Sequence, residues 1–393
     1  MIDFLNEDES KTISLIDSFQ DDFLSIESAF KEKIENQDLI LIGAAGSIGF
    51  AMIPLILKAS PRNLLLLDQD ENRLTMLLRL IRAKNWVDPL TNLTLAAMDF
   101  GSIEAKQLLQ TFSSSPIVLN FAASKHVRSE RDIYGIAHLL MENFIKPWQL
   151  IEYLKPKYYF GVSTDKAANP VNFMGATKAL HEQLLFSTSS SSARFANVAF
   201  SQGSLLDSWR YRLRWNEPLV APKEVSRFLI THRDAANLCA ISIAKCGETG
   251  VLVPNGGTIK SLYLEEILLK YLIYKNLKPV VFENYYEAQL FQTSIKRKVN
   301  EWSIVITTPD TSGEKLFEEF VGIGEKLSPV TNLTSQIVPV KSALEQLRKI
   351  REYVSQELIY NQANNIDTVR DLICEAIPSF KHSQSQESLD GRP

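Results

Sequence analysis

Two hydrophobic rhythms alternate along the first half of this chain. Short, nearly unbroken apolar runs stand at 38–42 (DLILI), 63–67 (NLLLL) and 117–121 (IVLNF). Between them, apolar residues recur at three- and four-residue steps, over Phe50–Lys58, Asn72–Lys84 and Ile103–Phe112. Short apolar runs read as strands buried on both faces, and the longer period reads as helix. Further strands are expected at Leu93–Ala97, Tyr158–Val162 and Ala193–Val198, with a helix from about Met174 to Phe186. Strand and helix in alternation predict an α/β fold, a doubly wound parallel sheet covered by helices on both faces.

Outside that core the pattern changes. In the acidic extension 1–37, Leu15, Phe19, Phe23 and Ile26 form one apolar stripe, which predicts a helix that docks or contacts a second copy. The run Ser187–Ser192 (STSSSS) reads as an exposed polar connection. Beyond residue 200, helical periods at 233–245, 263–274 and 341–360 are separated by irregular, strand-like pieces. The expected layout is a core of 38–200 rejoined by 229–258, a smaller lid built from 201–228 and 259–380, and a polar tail at 381–393.

Composition narrows the class. The 393 residues carry 42 Lys plus Arg against 46 Asp plus Glu, a net charge of −4, too near neutral for bulk neutralisation of nucleic-acid phosphates. Cys239, Cys246 and Cys374 lack CxxC spacing, and His138, His181, His232 and His382 lack metal-ligand spacing, so neither a disulfide framework nor a metal site is expected. No run approaches ~18 apolar residues and the start is acidic, so a cytoplasmic protein without a membrane span is expected.

Gly43-Ala44-Ala45-Gly46-Ser47-Ile48-Gly49 lies between the first strand and the first helix, with GxxGxxG spacing. Glycines here allow a tight turn and close approach of backbone to a pyrophosphate, which the following helix N-terminus favours. Gly43, Ala45, Gly46, Ser47, Ile48 and Gly49 therefore read as a Rossmann-like dinucleotide turn. Asp68 ends the next strand; a carboxylate there accepts from a ribose diol and repels a 2′-phosphate, favouring NAD over NADP. Asp99 is a candidate contact to adenine or else a helix cap. Small Ala122 and Ala123 let the chain pass close to a cofactor, and Lys125 and His126 at the same rim could face a phosphate-bearing substrate.

Chemistry gathers after the strand Tyr158–Val162. Ser163-Thr164-Asp165-Lys166 stands at its carboxyl edge, and Met174 and Lys178 lie one helical turn apart. In short-chain dehydrogenases a Tyr-x-x-x-Lys pair occupies such a turn. Met174 has no acidic proton, so the site either lacks activity or has moved proton transfer to neighbouring groups.

The segments GAAGSIG, FAASKHV, STDKAANPVNFMGATKAL, RFANVAFSQGS and SRFLIT occur in that order. Together they resemble the CapD-type polysaccharide-biosynthesis branch of the extended short-chain dehydrogenases, over about residues 38 to 320. The resemblance implies an NAD-dependent UDP-N-acetylglucosamine 4,6-dehydratase, a homo-oligomer acting on a nucleotide sugar, with a substrate-binding lid. It implies Thr164 as donor to the C4 oxygen, Asp165 as C6 acid, and Lys166 as C5 base in a desolvated or cation-flanked setting. Lys178 would anchor the nicotinamide ribose, and Met174 marks the branch that retains C5. Arg194, Asn197, Ser201, Gly203 and Ser204 correspond to substrate-loop residues, and Arg227 suits a diphosphate oxygen. The family's Arg-Pro-Gly-Glu-Lys motif stands here as Thr311-Ser312-Gly313-Glu314-Lys315, and relatives usually have Gly-Thr where this chain has Lys146-Pro147. Arg210, Arg212 and Arg214, alternating with Tyr211 and Trp215, read as an exposed helix face. A nucleotide-sugar epimerase of the same fold and a non-catalytic dinucleotide-sensing protein are the alternatives.

Overall fold

The apolar runs become the centre of one sheet. In the computed structural model, which describes residues 13, 15, 17–86, 90–125, 130, 132–188, 190–246, 249–308, 318–338, 343–358 and 366–382, fifteen strands are seen. They are β1 (Asp38–Ile42), β2 (Asn63–Asp68), β3 (Asn92–Ala97), β4 (Ile117–Asn120), β5 (Tyr158–Val162), β6 (Ser190–Ala193), β7 (Asn197–Val198) and β8 (Leu219–Pro222). There follow β9 (Ser226–Ile230), β10 (Thr249–Pro254), β11 (Ser261–Tyr263), β12 (Lys278–Phe282), β13 (Glu301–Thr307), β14 (Leu327–Pro329) and β15 (Thr334–Ile337).

The main sheet has nine strands in the order β14-β15-β10-β6-β5-β4-β1-β2-β3. From β3 to β10 all neighbours are parallel, with Ile40 opposite both Leu65 and Val118; β15 and β14 add an antiparallel edge. The fold is Rossmann-like α/β. Strand order reverses between β1 and β4, and such a switch point opens a crevice at the carboxyl ends of the strands. Every residue of β4 and β5 is buried, because helices cover both faces. The N-terminal helix Gln20–Ile34 docks on His232–Lys245 through Phe23, Ile26, Phe30 and Ile34. The Asp234 carboxylate accepts from the Phe19 and Ser18 backbone N–H groups and so fixes the entry to that helix.

The serine run departs from expectation. Ser190–Ser192 is not an exposed connection; it belongs to β6, between β5 and β10, and is at most 1% exposed. Its hydroxyls find partners inside: Ser192 Oγ donates to the Gly161 carbonyl at 2.6 Å, and Ser191 Oγ bonds to Ser242 Oγ at 2.9 Å and to the Tyr158 hydroxyl. A paired hydroxyl can be buried at little cost, so polarity alone misplaced this strand. The expected strand 193–198 is accordingly split between β6 and β7.

A second layer holds two small sheets, β11-β9-β7 and the parallel β12-β13-β8. The helix Tyr285–Gln292 connects β12 to β13 as a further βαβ unit, and Leu205–Trp215 and Leu264–Tyr274 bury Trp209 and Tyr271 against Ile304 and Trp302. Residues 327–337, 344–358 and 366–380, expected in the lid, lie elsewhere. β14 and β15 extend the main sheet. The helices Leu344–Tyr353 and Ile366–Ala376 cover Ile133–Leu140 and Phe173–Leu185, burying Leu347, Ile350, Val369 and Ile373 there.

Candidate active site

The glycine-rich turn closes where the sheet reverses. Gly43 has φ +74°, and a Cβ on it would fall 2.6 Å from the Ala122 backbone nitrogen; on Gly49 it would fall 2.2 Å from the Gly43 carbonyl oxygen. No other residue fits either position. Gly46 begins the helix Ser47–Lys58 without a side-chain cap, so the N-terminus of that helix opens on the cleft. Asp68 braces the turn, accepting from Ala45 N–H at 2.9 Å and from Asp70 N–H at 3.1 Å. Asp99 instead pairs with Lys146 at 2.7 Å and accepts from Gly101 N–H, while Ser102 caps the helix Ile103–Phe112. The helix-cap reading of Asp99 is therefore wrong, and its carboxylate already has a cationic partner.

Thr164 stands two residues beyond β5 and caps a single 3-10 turn, Asp165–Ala167. Thr164 Oγ1 donates to Asp165 Oδ1 at 2.6 Å, and Lys166 Nζ reaches the same oxygen at 3.3 Å. Asp165 is 2% exposed, whereas Lys166 is only partly covered. Glu318 and Arg227 line the same small cavity as Asp165 and Lys166, so the cavity beside Lys166 holds two carboxylates and one guanidinium. Against the desolvated or cation-flanked setting expected for Lys166 as a base, the side chain is partly exposed and pairs with Asp165, while Arg227 lines the same cavity.

The helix Phe173–Leu185 faces this turn. Asn172 Oδ1 caps it through Gly175 N–H at 2.8 Å, and Glu130 accepts from the Phe173 and Met174 N–H groups. Met174 is buried and lines the cleft. Lys178, one turn on, is 5% exposed and donates to the Val162 carbonyl at 3.0 Å; burial lowers its ammonium to about 8. Asn143 accepts from Ser124 N–H and donates to Thr177 Oγ1 at 3.0 Å, which ties the loop after β4 to this helix.

One cleft of about 860 Å³ is lined by Gly46, Ser47, Ile48, Gly49, Ala123, Lys125, Thr164, Lys166, Met174, Lys178, Asn197, Ser201, Gly203, Ser204 and Arg227, while Asp165 lines the small cavity beside it. Ala122 lies beside it, held by Asn120. Ser204 caps the helix Leu205–Trp215 through Asp207 N–H, and Gly203 has φ +72°. Arg194 does not reach the cleft. It is 2% exposed and forms ion pairs with Glu182 at 2.5 Å and Glu325 at 2.7 Å. On the arginine-rich helix, Arg210 and Arg212 are largely covered, Arg210 lying over the Phe200 ring, while Trp215 is exposed. His126 and Glu314 lie outside the described residues.

Gln202, inside the RFANVAFSQGS segment but given no role there, and Glu318, without a sequence signal, enter the site. Gln202 joins three cofactor-side segments: its N–H donates to Ser47 Oγ at 3.0 Å, its carbonyl accepts from Lys125 Nζ at 2.6 Å, and its side chain accepts from Arg73. Burial lowers the Lys125 ammonium. Among the described residues no group of three His, Cys, Asp or Glu is placed to hold a metal, and no helix is long and apolar enough to cross a membrane.

The sequence matches the family described as polysaccharide biosynthesis protein over residues 39–338. The chain belongs to that family. Within it, this CapD-like extended short-chain dehydrogenase is 27% identical over 251 residues to the capsular polysaccharide biosynthesis protein CapD of Staphylococcus aureus, covering 61% of this chain but only 41% of that protein. It is 29% identical over 268 residues to an uncharacterized membrane protein of Methanocaldococcus jannaschii, covering 63% of this chain and 76% of that one. In structure it is similar to Pen from Bacillus thuringiensis, with a TM-score of 0.60 at 20% identity over 79% of this chain and 90% of that chain. It is also similar to the UDP-N-acetylglucosamine 4-epimerase of Methanobrevibacter ruminantium M1 in complex with UDP-N-acetylmuramic acid, with a TM-score of 0.50 at 13% identity over 88% and 98% of the two chains. At such identities the likeness establishes the shared fold.

Proposed function

We propose that this family member is an NAD-dependent nucleotide-sugar 4,6-dehydratase. Its substrate would be UDP-N-acetylglucosamine or another nucleoside-diphosphate N-acetylhexosamine, and its product the 4-keto-6-deoxy sugar for surface polysaccharide or nonulosonic acid synthesis. One observation carries the reading: an Asp165–Lys166 ion pair stands beside the cleft, which Lys166 lines together with Met174, the replacement for the acidic tyrosine of ordinary short-chain dehydrogenases. An enzyme that only oxidises and reduces C4 needs no such pair; elimination across C5 and C6 needs both an acid and a base.

The turn suits a dinucleotide. Gly43 and Gly49 leave no room for side chains, and the cleft of about 860 Å³ runs from the helix N-terminus past Lys178. Bound NAD would supply a reversible hydride acceptor. Gly43, Ala45, Gly46, Ser47, Ile48 and Gly49 would surround its pyrophosphate, Asp68 its adenosine ribose, and Ala122 and Ala123 its passage toward Lys178.

Thr164 would turn its one hydroxyl proton from Asp165 to the oxygen at sugar C4, and Lys178 would hold a ribose hydroxyl and relay the C4 proton. The salt bridge supports a carboxylate at 165 and an ammonium at 166. Asp165 is then the group able to take the C5 proton, and Lys166 the group able to donate to the departing C6 hydroxyl. This reverses the direction implied by the family resemblance and rests on the 3.3 Å pairing of Lys166 with Asp165. Incubation with UDP- and GDP-N-acetylglucosamine, followed by mass spectrometry, tests the reading. Loss of one water is expected; a product of unchanged mass would indicate epimerisation instead.

A further inference from the structure

Three donors converge on one carboxylate at the edge of the cleft. Asn197 Nδ2 donates to Glu318 Oε1 at 2.6 Å, the Phe228 backbone N–H donates to Oε2 at 2.7 Å, and Arg227 Nε lies 3.6 Å from Oε1. An amide, a backbone N–H and a guanidinium are the donors with which proteins hold phosphate oxygens. Asn197 and Arg227 line both the large cleft and the small cavity beside Asp165 and Lys166. The Glu318 side chain is only 6% exposed, so its charge faces these donors rather than water.

We propose that Glu318 is an internal occupant of the substrate's diphosphate site, a chain-borne anion that the nucleotide sugar must displace from Asn197 and Arg227. The assignment rests on the nucleotide-sugar reading above and adds to it a determinant of affinity. Its neighbours make the displacement physically reasonable. Burial, and then the Asp165 carboxylate, push the Glu318 carboxyl above its ordinary range, so the charge sits there against opposition. The backbone just beyond is anchored: the Phe320 ring stacks on Phe228 at 5.5 Å, and Arg194 takes the Phe320 carbonyl and the Glu325 carboxylate. Rotation of the Glu318 side chain alone is enough to release the donors. If the side chain stays nearby, its charge still repels the diphosphate.

Glu318→Gln keeps the shape and removes the charge. Calorimetric titration with UDP and, separately, with inorganic pyrophosphate is made on wild type, Glu318→Gln, Glu318→Ala, and Glu318→Gln combined with Arg227→Met. Both single variants are expected to bind each probe roughly tenfold more tightly than wild type, the size of one charge-assisted contact. The gain should vanish in the Arg227→Met combination. Unchanged or weaker binding in whichever single variant melts like wild type would overturn the assignment. The pyrophosphate comparison needs no turnover: a gain in a protein that dehydrates no nucleotide sugar would keep this assignment and remove the dehydratase reading.

Discussion

A Cβ on Gly175 would lie 2.4 Å from the carbonyl oxygen of Lys166. The helix that carries Met174 and Lys178 therefore rests backbone against backbone on the turn that carries Thr164, Asp165 and Lys166. This contact sets the spacing of the site, and it explains why glycine follows Met174.

Replacing Gly175 with Ala tests that contact. Alanine gains about 1 kcal/mol of helix propensity over glycine. Overpacking costs about 1–3 kcal/mol, and here the obstruction is a carbonyl that no rotamer change can move. The clash should win: thermal melting should fall, and turnover should fall with it as the helix and the turn separate. A variant with unchanged melting and turnover would show that the two elements are not held at that distance.

Met174 and Asp165 should differ sharply in their sensitivity. Met174→Leu conserves volume and should cost less than about 1.5 kcal/mol in stability. It should leave turnover within roughly tenfold, about 1.4 kcal/mol of barrier. Asp165→Asn keeps the shape but loses the proton acceptor, and should cost about 10²–10⁴-fold. Rates compared on folded, cofactor-loaded protein decide the matter; equal damage from both would give the sulfur a chemical role.

Lys178 gives the pH dependence a sign. Burial lowers its ammonium to about 8, so the charged form proposed to anchor a ribose hydroxyl prevails below that pH and is lost above it. Turnover should decline as pH rises through about 8, and Lys178→Arg, if active, should move that limb upward. A flat profile from pH 7 to about 9.5 would argue that the neutral amine works equally well.

The buried Arg194 joins the serine-rich part of the sheet to residues 320–325. Its partner Glu182, 2% exposed, also accepts from Ser163 Oγ, one residue before Thr164. Arg194→Met would strand the Glu182 charge and should destabilise by about 3–5 kcal/mol. Adding Glu182→Gln should recover part of the loss in chemical denaturation. Independent, additive losses would contradict the coupling.

How much of this was legible in the sequence follows from what each residue buries. β1, β2 and β4 could be read because nearly unbroken Leu, Ile and Val runs suit a doubly covered strand, and β5 because its short run YYFGV is aromatic and apolar. The glycine turn and the Thr164–Lys178 constellation could be read because their spacing has few other uses. β6 could not, since its serines look solvent-seeking until the Gly161 carbonyl and the Ser242 hydroxyl are brought to them by the fold. Glu318 was equally silent: one glutamate in a charged stretch acquires meaning only when Asn197, from 121 residues away, donates to it. The βαβ unit of β12 and β13 escaped because β12 is amphipathic, with Val281 exposed beside half-buried Val280.

The central claim is elimination across C5 and C6, and one reaction run in deuterium oxide tests it most directly. Removal of the C5 proton, departure of the C6 hydroxyl and return of the C4 hydrogen to C6 leave only C5 to be filled from solvent. The account predicts a product lighter than UDP-N-acetylglucosamine by one water and carrying one solvent deuterium, located at C5. A product of unchanged elemental composition, with no deuterium on carbon, would contradict it and point to chemistry confined to C4.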